Sequence, residues 1–542
     1  MAGPPEVPRA LLRPCGSELV RATASAAARG RFRYLGIERD LGDAPFPCPA
    51  DVPLLWAFEH LYLEELLDLA LCGEHGAAIR LAALREAADR DPGPGGAHPY
   101  PEARRTASLV RALWRLPPPE TPALACAAWR AAWRVRDNLE RDVGGNHLLE
   151  NGLALVLSGR AFAGARAAGL LRAGEAILTA EARRQVLPDG AHFELSPMYH
   201  ARVLSVLAEG GLVLASAGRD PEPEYWETVG RMCAFLDGLL GPDGALPLLG
   251  DSVRDERFTP RMLLRAVEEI LPFPVGPAPR GDRYHPDSGF CVLEDGERGD
   301  RLLLDAGPVC PDRLPAHGQA DTFTFEFRAG GAEVVVDPGV GGYEAGPDRD
   351  WSRGTRSHST VEVGGENSSE VFGSFRVGRR ARVRGADFRR DGAFGTLAAE
   401  HDGYRHRGAY HARLVSHLGP GLYLVADRVR AARPAVSRSR IHFGPTAQVG
   451  ERAGAGFQVH AGEALVWVVP FGAGRSGFEA GTCSPSFGSW LPTKLLTLTG
   501  SGRSVAFGYL LATGDRTDLS AWLDGSTVRV RADGREWSRA LP

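Results

Sequence analysis

Five segments of this 542-residue chain concentrate side chains able to donate, accept or relay protons. They are HPYPEARR (His98 to Arg105), GGNHLLEN (Gly144 to Asn151), DGAHFELSPMYH (Asp189 to His200), HGQADTFTFEF (His317 to Phe327) and DPGVGGYEAGPDRDWSRGTRSHSTVEV (Asp337 to Val363). His and Tyr in such runs suit general acid–base work, and Arg suits a carboxylate partner. Glu150, Asp189 and Glu194 are the carboxylates that a glycoside hydrolase would need as an opposed pair about 5–10 Å apart, but no feature pairs them. Each residue also has a structural alternative. Asn146 and His147 at a helix start can act as a cap. Tyr199 in an amphipathic helix can be core, and His200 beside it should face away. Asp337 can cap a D-P-G turn, with His358 bonded to backbone. Arg353 and Arg356 can be sheet-surface charges.

The elements that must position these residues fall into two halves. Apolar residues recur at helical spacing in Pro53–Leu71, Ala123–Val135, Leu148–Ala168, Gly174–Val186, Tyr199–Ala215, Tyr225–Leu240 and Pro260–Leu271. Gly, Pro and Asp fill the breaks, as in DPGPGGAHPYP and LPDGAHFELSP. Successive helices with short links predict helical hairpins. The Pro/Gly-rich stretch PFPVGPAPRGDRYHPDSG (272–290) marks a boundary. Beyond it the period is two, over Phe290–Glu294, Arg301–Asp305, Thr322–Arg328, Glu333–Asp337, Ser359–Val363, Ala381–Arg384, Leu422–Val429, Ala464–Val469 and Ser504–Leu511. Turn residues between them predict antiparallel sheets, packed as a sandwich.

In combination, the five segments resemble the heparinase II/III-like polysaccharide lyases. The connected block HGQAD…F-x-F…VVVDPG…RSHSTV carries most of the likeness, which runs from the Trp56 helix to the Arg384 strand and more weakly to the end. The resemblance implies an incomplete α/α toroid over residues 1–275 and an antiparallel β-sandwich over 276–542. It implies β-elimination on a uronate-containing polysaccharide of glycosaminoglycan or alginate type, leaving unsaturated uronate ends. Such a reaction must mask the uronate carboxylate, remove the C5 proton and protonate the departing O4. The family's positions fall on Asn146 and His147 (carboxylate-facing, with His147 a base for one sugar epimer), Tyr199 (base and acid) and His317 (neutralising the substrate). Glu150, one turn after His147, is expected to orient it. Glu150, Arg353, Arg356, His98, Tyr100 and Arg104 are the expected substrate contacts.

Relatives hold a divalent ion with a His two residues after the position of His317, an Asp and a distal His. Asp337 and His358 match two of these, but Gln319 replaces the first, and an amide oxygen favours a harder ion than imidazole does. The expected cofactor is therefore one divalent metal (Mn, Ca or Zn) on Asp337, His358 and Gln319, with no organic cofactor. The alternatives are a hydrolase on the same toroid and a non-catalytic polysaccharide-binding or assembly protein.

The bulk numbers fit a globular protein of more than one domain: 44% hydrophobic, 24% charged, net charge −4. Near-balance argues against a general nucleic-acid binder. The run Arg376, Arg379, Arg380, Arg382, Arg384, Arg389 and Arg390 reads as a solvated face or a polyanion track, with Arg380, Arg382 and Arg384 on one sheet face. The eight cysteines include no C-x-x-C pair and read as free thiols. No signal peptide or membrane span is legible, so the expected location is cytoplasmic, or periplasmic or secreted if a leader was removed. Oligomeric state is not legible.

Overall fold

The computed structural model describes residues 5–88, 93, 95, 96, 98–117, 121–255, 257–454, 456–472, 474–516 and 518–542. The break expected in DPGPGGAHPYP lies partly outside the described residues. The chain divides into two compact units. Unit 1 comprises Met1–His192, Tyr199–Asp237 and Asp255–Pro277, and unit 2 comprises Phe193–Met198, Gly238–Arg254 and Ala278–Pro542. The last crossing, at 277/278, lies two residues beyond the expected 275/276 boundary, and two short segments from the helical half of the sequence belong to unit 2.

Unit 1 is an incomplete α/α toroid of helices joined by short links. Helices begin at Pro99, Pro122 and Pro260, where the fixed φ is ready for a helix and no amide hydrogen is missed. Two expected helices are each broken. Pro53–Leu71 is Leu54–Leu61 followed by Glu65–Leu71, because Leu63 takes φ 54° and interrupts the ladder. Leu148–Ala168 ends at Ala161, and a new helix, Ala165–Gln185, starts after Gly164 at φ 94°. These two helices pack closely at glycines. A Cβ on Gly174 would lie 2.6 Å from the Gly152 carbonyl oxygen, and one on Gly159 2.5 Å from the Leu171 nitrogen. A hairpin, Arg31–Tyr34 with Ile37–Asp40, was not expected from the sequence. No helix among the described residues is long and apolar enough to cross a membrane.

Unit 2 is an antiparallel β-sandwich. A five-stranded sheet runs in chain order from Arg283–Tyr284 to Ala332–Val335. A ten-stranded sheet is centred on the long strands Leu422–His442 and Leu491–Thr513, which pair over most of their length. Alternation explains the layers. Tyr423, Val425, Phe507, Tyr509 and Leu511 face the core shared with Leu293, Leu302, Leu304 and Phe325 of the smaller sheet. Leu422, Leu424, Ala426, Leu510 and Ala512 face the other way, onto Val528, Val530 and Ala532 of a C-terminal three-stranded sheet. Burial on both faces is why these strands read as nearly continuous apolar runs. The expected strand at Ala381–Arg384 instead begins at Val383, so Arg380 and Arg382 precede the sheet. Its burial pattern over Val383–Asp391 is largely exposed, as suits a charged edge strand. All eight cysteines are free thiols.

Gly174→Ala should lower the melting temperature, by the equivalent of about 1–3 kcal/mol, since backbone must move to admit the methyl. Gly169→Ala, in the same helix with nothing within 4 Å, should not lower it. Thermal unfolding followed by circular dichroism reads both, and equal melting temperatures for the two variants would contradict the close packing.

Candidate functional site

In unit 1, Gly144 (φ 69°) and Gly145 (φ 55°) turn the chain into the helix Gly145–Ala161. Asn146 and His147 therefore sit in its first turn, Asn146 buried and His147 half-buried. His147 Nδ1 lies 2.8 Å from Glu140 Oε1. A carboxylate only accepts, so Nδ1 donates and Nε2 is directed away from Glu140. Asn151 fixes Glu140 in turn, its Oδ1 accepting from the Glu140 amide at 2.8 Å and its Nδ2 donating to Oε2 at 3.2 Å. The His147 ring stacks on Tyr100, with centroids 4.1 Å apart, and meets His98 edge-on at 6.3 Å. His98 also caps the helix Pro99–Leu113 through the Tyr100 amide.

The carboxylate that orients His147 is thus Glu140 rather than the expected Glu150. Glu150 turns to Arg104, whose guanidinium also pairs with Glu64 and lies 4.5 Å over the Tyr62 ring. Arg13, Arg104, Arg111, Arg257, Glu59 and Glu64 line a cavity of about 80 Å³ here. Burial opposes charge on Glu64, but Arg104 and Arg13 hold its carboxyl down at about 2. Burial raises the Glu150 carboxyl despite the pull of Arg104 and Arg111. Arg104 and Glu150 therefore form part of an interior ion-pair network.

Tyr199 lies half-buried in the first turn of the helix Pro197–Ser216. The segment before it, Phe193–Met198, is held within unit 2. Ser196 Oγ donates to the Asp251 carbonyl at 2.9 Å and contacts Ser252 Oγ at 2.8 Å, and Ser252 Oγ accepts from the Met198 amide at 3.2 Å. His200 faces away as expected. Its Nε2 donates to the Met232 carbonyl and its Nδ1 accepts from the His192 amide, each at 3.0 Å, and burial lowers its pKa to about 4. Gln185 links two of the segments. Its Nε2 donates to the Gly145 carbonyl at 2.9 Å and its Oε1 accepts from His192 Nε2 at 3.0 Å.

In unit 2, His317 Nδ1 lies 3.1 Å from Asp251 Oδ2, and Nε2 lies 3.6 Å from Glu194 Oε2. Asp251 is fully buried and receives a two-pronged bond from Arg349, 2.7 Å on each oxygen, plus Gln319 Nε2 at 2.8 Å. Burial disfavours its charge, yet Arg349 and His317 hold the carboxyl well below the usual range. Neither Asp251 nor Arg349 was singled out from the sequence. Arg353, expected at substrate, is instead buried and donates to the carbonyls of Gly318, Phe372, Gly373 and Arg376. Burial, with Arg349 nearby, lowers its pKa to about 10. Arg356 is exposed, over the Trp351 ring at 4.9 Å.

Of the expected metal ligands, Asp337 Oδ2 accepts from His358 Nδ1 at 2.9 Å and Thr324 Oγ1 at 3.2 Å. Gln319 Oε1, Asp337 Oδ1 and His358 Nε2 are buried and lack a hydrogen bond of ordinary geometry among the described residues. No group of three His, Cys, Asp or Glu among the described residues is arranged to hold an ion, so a site here depends on the Gln319 amide oxygen. Burial and the neighbouring carboxylates Asp321 and Asp337 raise the Asp305 carboxyl, a crowding of negative groups that a cation would relieve. Burial opposes charge on the His358 imidazole, but Asp337 and the Ser352 backbone carbonyl both favour its protonated form, so the two oxygens, Gln319 Oε1 and Asp337 Oδ1, are the atoms here open to a cation.

Two family models match the chain, "Heparinase II/III N-terminus" over residues 131–273 and "Heparinase II/III-like, C-terminal" over residues 277–526. A heparin-sulfate lyase of Pedobacter heparinus is 29% identical over 214 residues, 36% of this chain and 32% of that protein. One of Bacteroides stercoris is 26% identical over 250 residues, 42% of this chain and 37% of that protein. The aligned stretch spans about a third of the length of these relatives. Among solved structures, a heparinase III superposes with a TM-score of 0.80 at 16% identity, covering 100% of this chain and 93% of that one. The heparan sulfate lyase of Pedobacter heparinus gives 0.65 at 18%, covering 97% and 89%. These superpositions establish the fold.

Asp251→Asn should destabilise unit 2 by about 3–5 kcal/mol, because Arg349 stays buried without its counter-charge. The folded carboxyl sits below its unfolded value of about 3.9, so this stabilisation is fully present above that pH and is lost as pH falls through the folded pKa. Thermal scans should therefore show a constant gap between variant and wild type from pH 7 to about pH 5, narrowing only below about pH 4. A gap that closes between pH 7 and pH 5 would contradict the assignment.

Proposed function

The chain belongs to the heparinase II/III-like family, and from that premise we propose that it is a polysaccharide lyase cleaving a glycosaminoglycan of heparan type by β-elimination. The observation that carries this reading is the pairing of His147 with buried Glu140 at the first turn of a 17-residue helix. That pairing fixes one imidazole nitrogen and directs the other away from Glu140. The helix N-terminus there favours an anionic group such as a uronate carboxylate. The names of the aligned relatives support heparan-type polymers ahead of alginate.

In the proposed reaction, Asn146 and His147 donate to the uronate carboxylate and mask its charge, which acidifies the C5 proton; the resemblance assigns His317, in unit 2, to neutralising substrate charge. Tyr199 takes that proton. The electron pair forms the C4=C5 double bond, the C4–O4 bond breaks, and the proton is returned to O4. For the other C5 epimer, His147 serves as base and Tyr199 as acid. Tyr100 stacks on the His147 ring and His98 meets it edge-on, which makes them positioning residues. Arg356, exposed beside Trp351, is the available cation for substrate from the Asp337 to Val363 segment.

We also propose one divalent ion, Mn, Ca or Zn, which Gln319, Asp337 and, once its imidazole has lost its proton, His358 would hold. When bound, it supplies charge that neutralises the carboxylates around it and ties two loops of unit 2 together.

Incubation with heparan sulfate should raise the ultraviolet absorbance of unsaturated uronate. Reducing ends released without that absorbance would sink the lyase reading in favour of a hydrolase. Tyr199→Phe should lower kcat about 10²–10⁴-fold and leave polysaccharide binding intact; undiminished turnover would remove Tyr199 from the chemistry. Elemental analysis of the purified protein should find about one divalent ion per chain, and Asp337→Ala should lose it. Equal metal content in the two proteins would contradict the assigned ligands.

A further inference from the structure

Residues 371–377 of unit 2 form a two-stranded ribbon in which Phe372 pairs with Arg376 and Val371 with Val377. Its turn, Phe-Gly-Ser-Phe, places two phenyl rings in solvent, where turns usually carry polar side chains. Phe372 is 46% exposed and Phe375 41%. The backbone beneath them is held rigidly. Arg353 donates to the carbonyls of Phe372, Gly373 and Arg376, at 3.3, 3.0 and 3.0 Å, and Arg349 Nε donates to that of Ser374 at 2.9 Å. Both arginines are fully buried, so four consecutive or near-consecutive carbonyls are pinned to the interior. Phe375 is backed by Tyr343, with centroids 5.2 Å apart, and lies 6.4 Å from the His317 ring. Phe487 supports Tyr343 from behind at 5.3 Å.

Exposed aromatic rings on a mobile turn would be a liability, but on a pinned turn they are a preorganised surface. The arginines beneath contribute no free charge to that surface. Arg349 is neutralised by Asp251, and Arg353 is spent on carbonyls. We propose that Phe375 and Phe372 form a sugar-stacking platform that takes a pyranose ring of the polysaccharide next to the unit bound at His317. The inference rests on the lyase reading for the identity of the ligand. The ring recognised here presents its C–H face to the phenyls, an uncharged contact that adds to affinity and takes no part in proton transfer.

The test is affinity electrophoresis in gels containing heparan sulfate, alongside lyase kinetics. Phe372→Ala/Phe375→Ala should weaken retardation roughly tenfold and raise KM to a similar degree, with kcat within about twofold. Its melting temperature should fall by only a few degrees, since each ring is partly exposed and Phe375 loses its contact with Tyr343. Phe375→Tyr, which keeps the ring, should retain wild-type binding. An unchanged dissociation constant in the double variant overturns the platform, as does an equal loss in Phe375→Tyr or a wild-type protein that is not retarded at all. Because retardation needs no turnover, the two readings fail separately. Retarded wild type without unsaturated product would remove the lyase activity and leave the platform to the variants. Product with unchanged KM in the double variant would remove the platform alone.

Discussion

A single buried carboxylate organises the chemistry-bearing part of unit 2. Asp251 has no access to water, and an uncompensated charge there would cost several kcal/mol. Compensation comes from three side chains at once: both prongs of Arg349, Nδ1 of His317 and the amide of Gln319. Each partner brings its own segment into a fixed place. His317 and Gln319 bring the loop that enters the small sheet, and Arg349 brings the pinned aromatic turn through Ser374. The Asp251 carbonyl holds Ser196, three residues before Tyr199. His317 is therefore oriented by the side chain of the residue whose backbone carbonyl also holds the segment leading to Tyr199.

The same device recurs deeper in the sandwich. Asp427 receives both prongs of Arg413 and a bond from His411, whose other nitrogen meets His401 at 3.0 Å. Arg413 also donates to the carbonyls of Phe323 and Ser359, one on the strand-entry loop after His317 and the other next to His358. Phe323 sits at φ 70°, a conformation a bulky residue adopts only when its surroundings impose it. In unit 1 the corresponding parts are Glu140, which fixes His147, and Gln185, which joins the start of that helix to His192. Positioning in these segments is done by buried polar groups bonded to one another and to backbone carbonyls.

Much of the fold was legible because periodicity is a local signal. The helical half, the sandwich half and the boundary in the Pro/Gly stretch follow from residues within a few positions of one another. The helix breaks at Leu63 and Gly164 were not, since a run of apolar residues carries no mark of a single left-handed residue. The division of the chain into units hid another feature, because Gly238–Arg254 reads as the tail of the helical half yet belongs to the sandwich unit. Candidate residues with unusual chemistry, His147, Tyr199 and His317, were visible by type and context. Their orienting partners were not. Glu140 lies seven residues before His147, ahead of the helix that begins at Gly145, whereas the helical spacing pointed to Glu150, and Asp251 lies 66 residues from His317. Arg353 was misread for a related reason: sequence shows an arginine near a polar segment, but not that four carbonyls already claim it.

The most direct test of this account is a double-mutant cycle on kcat/KM for Asp251→Asn and His317→Ala, measured at a temperature where all variants remain folded. If Asp251 acts on the reaction by holding His317, the double variant loses no more activity than His317→Ala alone. Losses that simply add would mean that the two residues act independently, and would contradict the central role given to the buried carboxylate.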